Sequence, residues 1–212
     1  MVKKRTNIFL IVLLALLLIL EIILVKNNYF ATIDDFIYHH ISKLINPVNT
    51  AIFKFFSFFG SEIFIILFCL LILLFSRKKS RGVGFVFILL LSVLFNQGLK
   101  LIIARDRPTI NQLVSESNYS FPSGHTMLIT VIVALFIFYL WQEKKGSKVK
   151  KIILTSILLL FALLVMLSRI YLGVHYFSDI LGGITASLLL LSIVYYYYTF
   201  KYKVPYFPKN KE

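Results

Sequence analysis

One cysteine, one tryptophan and nine acidic residues are all that this 212-residue chain holds of side chains on which soluble enzymes draw heavily. Cys69 stands alone inside an apolar run, so neither a disulfide framework nor a cysteine metal site is available. Polar stretches are short, which leaves no segment able to form a separate soluble domain. No internal repeat relates the two halves, so the usual mark of an inverted-repeat transporter is missing. The apolar run behind Lys3, Lys4 and Arg5 resembles a signal peptide, but no small-x-small cleavage site follows Val25. It reads as an uncleaved anchor.

What the chain has is apolar length. Hydrophobic residues make up 59% of it, and a spanning helix needs roughly 20 mostly apolar residues in a row. Runs at about 7–25, 55–75, 83–102, 125–141, 152–169 and 178–199 meet that requirement. They predict an all-α integral membrane protein with six transmembrane helices, forming a single transmembrane domain over residues 1–212. The formal net charge of +14 would suggest nucleic acid in a soluble protein. Here the cations cluster between apolar runs, which makes them a topology signal and leaves the bilayer, not nucleic acid, as partner. Sixteen fall before the first run, after the second, between the fourth and fifth, and in the tail, against seven on the other side. The positive-inside rule then puts both termini in the cytoplasm, as an even number of spans requires.

In the longest outer loop, residues 26–54, Ile33, Phe36, Ile37, Ile41, Leu44 and Ile45 recur at helical spacing with Asp34, Asp35, His39, His40 and Lys43 between them. That pattern predicts a helix lying in the membrane interface. His39 and His40 lack matching carboxylates at ligand spacing, and no metal site is expected. Glu21, one turn from the outer end of the first run, reads as a residue snorkelling to the interface.

Three polar patches interrupt the apolar background, and the topology places all of them at the extracytoplasmic face. A charge at a helix centre costs about 2.5–3.5 kcal/mol on insertion scales, so charges kept there usually serve a purpose. In the first patch Lys100 and Arg107 are seven residues apart and face one point if the third span extends that far, with Pro108 ending the element. Arg105 and Asp106 between them read as structural, paired with each other or with headgroups. In the second, Pro122-Ser123-Gly124-His125 opens the fourth span: Ser123 offers a hydroxyl, Gly124 lets an anion approach the backbone, and the helix N-terminus itself favours negative charge. In the third, Ser168-Arg169 ends the fifth span, and His175 and Asp179 sit at i,i+4 spacing, one turn apart on one helix face. A carboxylate there holds one ring nitrogen of the imidazole and frees the other as nucleophile or base. Each patch alone has a plainer reading, as an interface anchor, a helix start or a structural histidine.

Taken together the patches resemble the type 2 phosphatidic acid phosphatase family of membrane lipid phosphatases. Its motifs Lys-x6-Arg-Pro, Pro-Ser-Gly-His and Ser-Arg-x5-His-x3-Asp read here as Lys100 to Pro108, Pro122 to His125, and Ser168 to Asp179, and the likeness runs over residues 83 to 187. The resemblance implies that His175 is a nucleophile forming a phosphohistidine, that Asp179 orients it, and that His125 is the general acid and base. It implies that Lys100, Arg107, Arg169, Ser123 and the Gly124 amide bind the phosphoryl oxygens, with Ser168 behind them and with neither metal nor other cofactor. The expected activity is metal-independent hydrolysis of a lipid phosphate monoester or pyrophosphate at the extracytoplasmic face of a bacterial membrane. Phosphatidylglycerophosphate is the leading substrate, in the manner of phosphatidylglycerophosphatase B. Undecaprenyl pyrophosphate is the rival, although many phosphatases for it carry Asp where Gly124 stands. A lipid-phosphate transporter or binder without chemistry is the alternative of another class; it has no need of a His175–Asp179 pair beside His125.

Overall fold

The computed structural model describes residues 2–76, 78–143 and 146–201, with side chains from residue 4 to residue 199. Arg77, Lys144, Lys145 and the tail cations Lys203, Lys209 and Lys211 lie outside the described residues, as does the side chain of Lys3. Among the described residues the chain is helical throughout: α1 (Val2–Lys26), α2 (Ala31–Ser42), α3 (Pro47–Phe58), α4 (Glu62–Phe75), α5 (Lys79–Ile103), α6 (Gly124–Gln142), α7 (Lys148–Tyr171) and α8 (Phe177–Tyr196), followed by a π-helical turn. Five of these, α1 and α5 to α8, are long and apolar enough to cross a membrane.

The sixth expected crossing, about 55–75, is not one continuous helix. It is a pair, α3 and α4, bent by 45°. Local chemistry sets the break. Asn46 accepts a hydrogen bond from the Asn49 amide (2.9 Å) ahead of Pro47, which starts α3 early. Ser61 accepts from the Phe64 amide (3.2 Å) and starts α4 afresh after Gly60. At about 1.5 Å per residue, the 14 residues of α4 fall short of a hydrocarbon core of roughly 30 Å. Only the bent pair is long enough to cross.

The segment after α1 does form a helix, α2, but its apolar face is used against the bundle. Ile37, Tyr38 and Ile41 pack on a cluster built around Ile129, Val165, Met166 and Ile170. Asp34, read from the sequence as one of its polar positions, is buried. Glu21 also departs from expectation: it is buried in the bundle and accepts a hydrogen bond from the Thr185 hydroxyl (2.9 Å) on α8.

Helix α8 is the central strut, with α1, α6 and α2 against it. Its close approach to the start of α6 depends on two glycines. A Cβ on Gly182 would lie 2.3 Å from the Phe121 ring, and one on Gly183 would lie 2.9 Å from Thr126. That approach brings the His175–Asp179 end of α8 beside Pro122–His125, with the Ser123 amide donating to the Asp179 carbonyl (3.1 Å).

Candidate functional site

All eight candidate residues lie at or beside one set of ends of α5, α6, α7 and α8, but helical periodicity is not what assembles them. Helix α5 stops at Ile103, and Ala104 takes a left-handed backbone conformation (φ 51°). Arg107 therefore lies in a loop, not two turns along a helix from Lys100. The two are brought together by the returning chain: both donate to the Tyr119 carbonyl, Lys100 from Nζ at 2.5 Å and Arg107 from Nη2 at 3.4 Å. The return is fixed by Ser120, whose amide donates to the Arg105 carbonyl (2.8 Å) and whose hydroxyl donates to the Asp106 carbonyl (2.9 Å).

His175 likewise precedes α8 instead of sharing a helix face with Asp179. Asp179 sits in the first turn and its carboxylate reaches back, so that Oδ2 accepts from the Tyr176 amide (2.9 Å) and from His175 Nδ1 (3.1 Å). With Nδ1–H committed to a carboxylate, the ring presents Nε2 as an acceptor, and Arg107 Nη1 lies 3.2 Å from it. Arg107 is itself anchored by the Val174 carbonyl (2.8 Å). Burial first, then Arg169, Arg107, Lys100 and Arg105, hold this imidazole well below its ordinary range. A histidine held below its ordinary range is neutral at pH 7.

Ser123 N-caps α6, its Oγ accepting from the Thr126 amide (3.4 Å), and its hydroxyl hydrogen is left for another acceptor. Pro122 stands before that cap, not in the first turn as its motif position suggested. Gly124 faces Asn96 on α5, whose Nδ2 holds the Pro122 carbonyl (3.0 Å). His125 is within electrostatic reach of Arg169, His175, Arg107 and Lys100. Its ring rests on the α3–α4 elbow, where a Cβ on Gly60 would come within 2.5 Å of His125 Cδ2. Ser168 turns away: its hydroxyl donates to the Val165 carbonyl (2.6 Å) of its own helix.

Five residues that no motif marked take part in the site. Glu116, in the loop between α5 and α6, accepts from Arg169 Nη2 and lies 3.7 Å from Arg107 Nη2. Arg169 also donates to Ser57 of α3. A guanidinium buried as deeply as Arg169, 2% exposed, costs roughly 3–5 kcal/mol if its partner is simply removed. Glu116 therefore supplies the negative charge that this buried guanidinium needs. Gly60 has been placed already. The last two are Arg105 and Asp34. Arg105 does not pair with Asp106, which is exposed; its guanidinium bridges Asp179 Oδ1 (2.6 Å) and Asp34 Oδ2 (2.9 Å). Nothing local in the sequence signals these contacts, which, apart from Arg107–Glu116, join residues 53 to 112 positions apart.

A cavity of about 470 Å³ opens on the Lys100–Arg107 flank, lined also by Gln97, Asp106, Glu116 and Tyr119. It adjoins Leu101, whose side chain is exposed on the outside of the bundle. The cavity thus joins the two cations to the apolar surface of the bundle.

The chain is similar to known proteins. A profile of the PAP2 superfamily matches residues 81–203. The chain is 37% identical over 120 residues to phosphatidylglycerophosphatase B of Bacillus subtilis, a match covering 57% of this chain and 59% of that protein's length. It is 27% identical to an undecaprenyl-diphosphatase of Sulfolobus acidocaldarius over 66% of this chain and 68% of the relative. The fold is similar to the crystal structure of a transmembrane PAP2-type phosphatidylglycerolphosphate phosphatase from Bacillus subtilis, with a TM-score of 0.80 at 27% identity, covering 93% of this chain and 98% of the other. Aquifex aeolicus LpxE is similar at a TM-score of 0.58 and 28% identity over 75% of this chain and 93% of that one.

Proposed function

The chain belongs to the PAP2 superfamily, and on that premise we propose that it is a membrane phosphatase that hydrolyses a lipid phosphate monoester through a phosphohistidine, converting phosphatidylglycerophosphate to phosphatidylglycerol. The observation that carries the reading is the hydrogen bond from His175 Nδ1 to Asp179 with Nε2 turned toward Arg107. In the first step His175 Nε2 forms a bond to phosphorus as the bond to the lipid oxygen breaks, and His125 gives its proton to the departing alkoxide. In the second step His125 takes a proton from water, the water oxygen bonds to phosphorus, and the P–N bond breaks to release phosphate. Asp179 keeps Nδ1–H in place and offsets the positive charge that the ring carries while phosphorylated. Lys100, Arg107, Arg169, the Ser123 hydroxyl and the Gly124 amide hold the phosphoryl oxygens. Positioning and charge stabilisation are most of what phosphoryl transfer asks of a protein.

The site lies at the outer face of a cell membrane in this reading. Lys78, Lys79 and Arg81 flank the start of α5, and Lys148, Lys150 and Lys151 begin α7. Both clusters are at the helix ends opposite Lys100 and Arg169, which supports cytoplasmic termini and an extracytoplasmic site. The Sulfolobus likeness makes a polyprenyl diphosphate the rival substrate. A purified-enzyme comparison of phosphatidylglycerophosphate, phosphatidate and undecaprenyl pyrophosphate by kcat/KM decides between them. The account expects the first to lead by at least about tenfold, or about 1.4 kcal/mol of barrier; a lead for the diphosphate reassigns the substrate.

Since three side-chain cations supply the charge, activity is expected to survive EDTA within about twofold. A strict magnesium requirement in the same phosphate-release assay contradicts that division of labour.

A further inference from the structure

Resting on that reading, we propose that Asp34 and Arg105 are positioning residues for the nucleophile, a pair whose charges cancel so that Asp179 keeps its own negative charge for His175. The geometry is closed on every side. Asp179 Oδ2 is taken by His175 Nδ1 and the Tyr176 amide, and Oδ1 is taken by Arg105 Nη1 at 2.6 Å. Arg105 lies over the Tyr176 ring, 4.0 Å from its centroid, and its other terminal nitrogen binds Asp34 at 2.9 Å. Asp34 is held in turn by the Ser178 amide (2.8 Å) and hydroxyl (2.6 Å), and its side chain is 1% exposed.

The electrostatic consequence depends on both carboxylates. An arginine bonded only to Asp179 would draw on the charge that must steady the imidazolium-like ring once Nε2 carries phosphorus. Asp34 gives Arg105 a second anion. The guanidinium can then fix the orientation of Asp179 without neutralising it. Asp34 comes from α2, outside the stretch matched by the superfamily profile, residues 81–203. The outer helix thereby becomes part of the catalytic unit as well as a packing element.

The test is steady-state hydrolysis of a short-chain phosphatidylglycerophosphate in micelles, with rates normalised to folded protein by gel filtration and thermal unfolding in detergent. Asp34→Asn keeps an oxygen for the Ser178 amide and removes the charge. It is expected to lower kcat about 10- to 100-fold with KM within about threefold, the scale seen for outer-shell partners of reactive groups. The discriminating variant is Asp34→Asn combined with Arg105→Gln. Removing both charges together should return kcat above that of Asp34→Asn alone, whereas losses that multiply mean that the two charges do not offset each other at Asp179. Arg105→Lys keeps the charge but bonds one carboxylate at a time, so it should also lower kcat at unchanged KM and serves if Asp34→Asn does not fold. A wild-type kcat in either single variant, or multiplying losses in the double, overturns the proposal. His175→Ala is the control: if wild type and His175→Ala release phosphate equally, the phosphatase reading fails and this inference with it. If His175→Ala is inactive and Asp34→Asn is not, this inference alone fails.

Discussion

His175→Ala is expected to lose at least about 10⁴-fold in phosphate release from a lipid phosphate monoester, more than about 5 kcal/mol of barrier. The side chain is 2% exposed and its Nδ1 is fixed by Asp179. The imidazoles other than His125 and His175, those of His39 and His40, are exposed on α2. Binding should survive better than turnover, because the cations remain. Competitive inhibition by vanadate, which mimics the five-coordinate phosphoryl group, is therefore expected to weaken far less than kcat. Phosphate release from His175→Ala at near wild-type rate contradicts the assignment of the nucleophile.

For His125→Ala the expected loss is about 10²- to 10⁴-fold on an alkyl phosphate, the range for a positioned acid and base. The loss should depend on the leaving group. The nitrophenolate of a lipid-tailed nitrophenyl phosphate departs without a proton, so the first step should proceed in His125→Ala and give a burst of about one nitrophenolate per enzyme, followed by slow turnover as the phosphohistidine waits for its base. Gly60→Ala is expected to show a milder form of the same pattern. Its new Cβ meets His125 Cβ, Cγ and Cδ2 at 2.5–2.8 Å, so the ring must move, while His175 and Asp179 are untouched. A Gly60→Ala protein with unchanged alkyl phosphate turnover shows that the ring's exact seat does not matter.

Part of this is legible in the sequence alone, and the boundary follows the range of the interactions. Apolar runs about 20 residues long mark α1 and α5 to α8 because the bilayer rewards length and composition directly. The motifs mark Lys100, Arg107, Ser123, Gly124, His125, Arg169, His175 and Asp179, and the structure gathers them at one end of the bundle. The means of gathering was misread, since a loop and a left-handed Ala104 carry Arg107 to Lys100, and a capping carboxylate carries Asp179 to His175. The break at Gly60 was hidden because Phe55 to Phe75 is apolar on both sides of it; only the Asn46-Pro47 and Ser61 caps betray two helices. Asp34, Arg105 and Glu116 were hidden for a different reason. Each looks like an ordinary polar position in its own segment and gains a role only from partners far along the chain, as Arg105 does from Asp34, 71 residues away. Glu21 belongs with them: its acceptor role toward Thr185 spans 164 residues.

The central claim is that phosphorus passes through His175, and one experiment reads it directly. His125→Ala is mixed with the ³²P-labelled lipid-tailed nitrophenyl phosphate, quenched in alkaline SDS, and the protein is digested and mapped. The account predicts label on His175, stable to base and lost in acid, and none in the His125→Ala, His175→Ala double variant. Turnover without labelled protein, or label on any other residue, contradicts it.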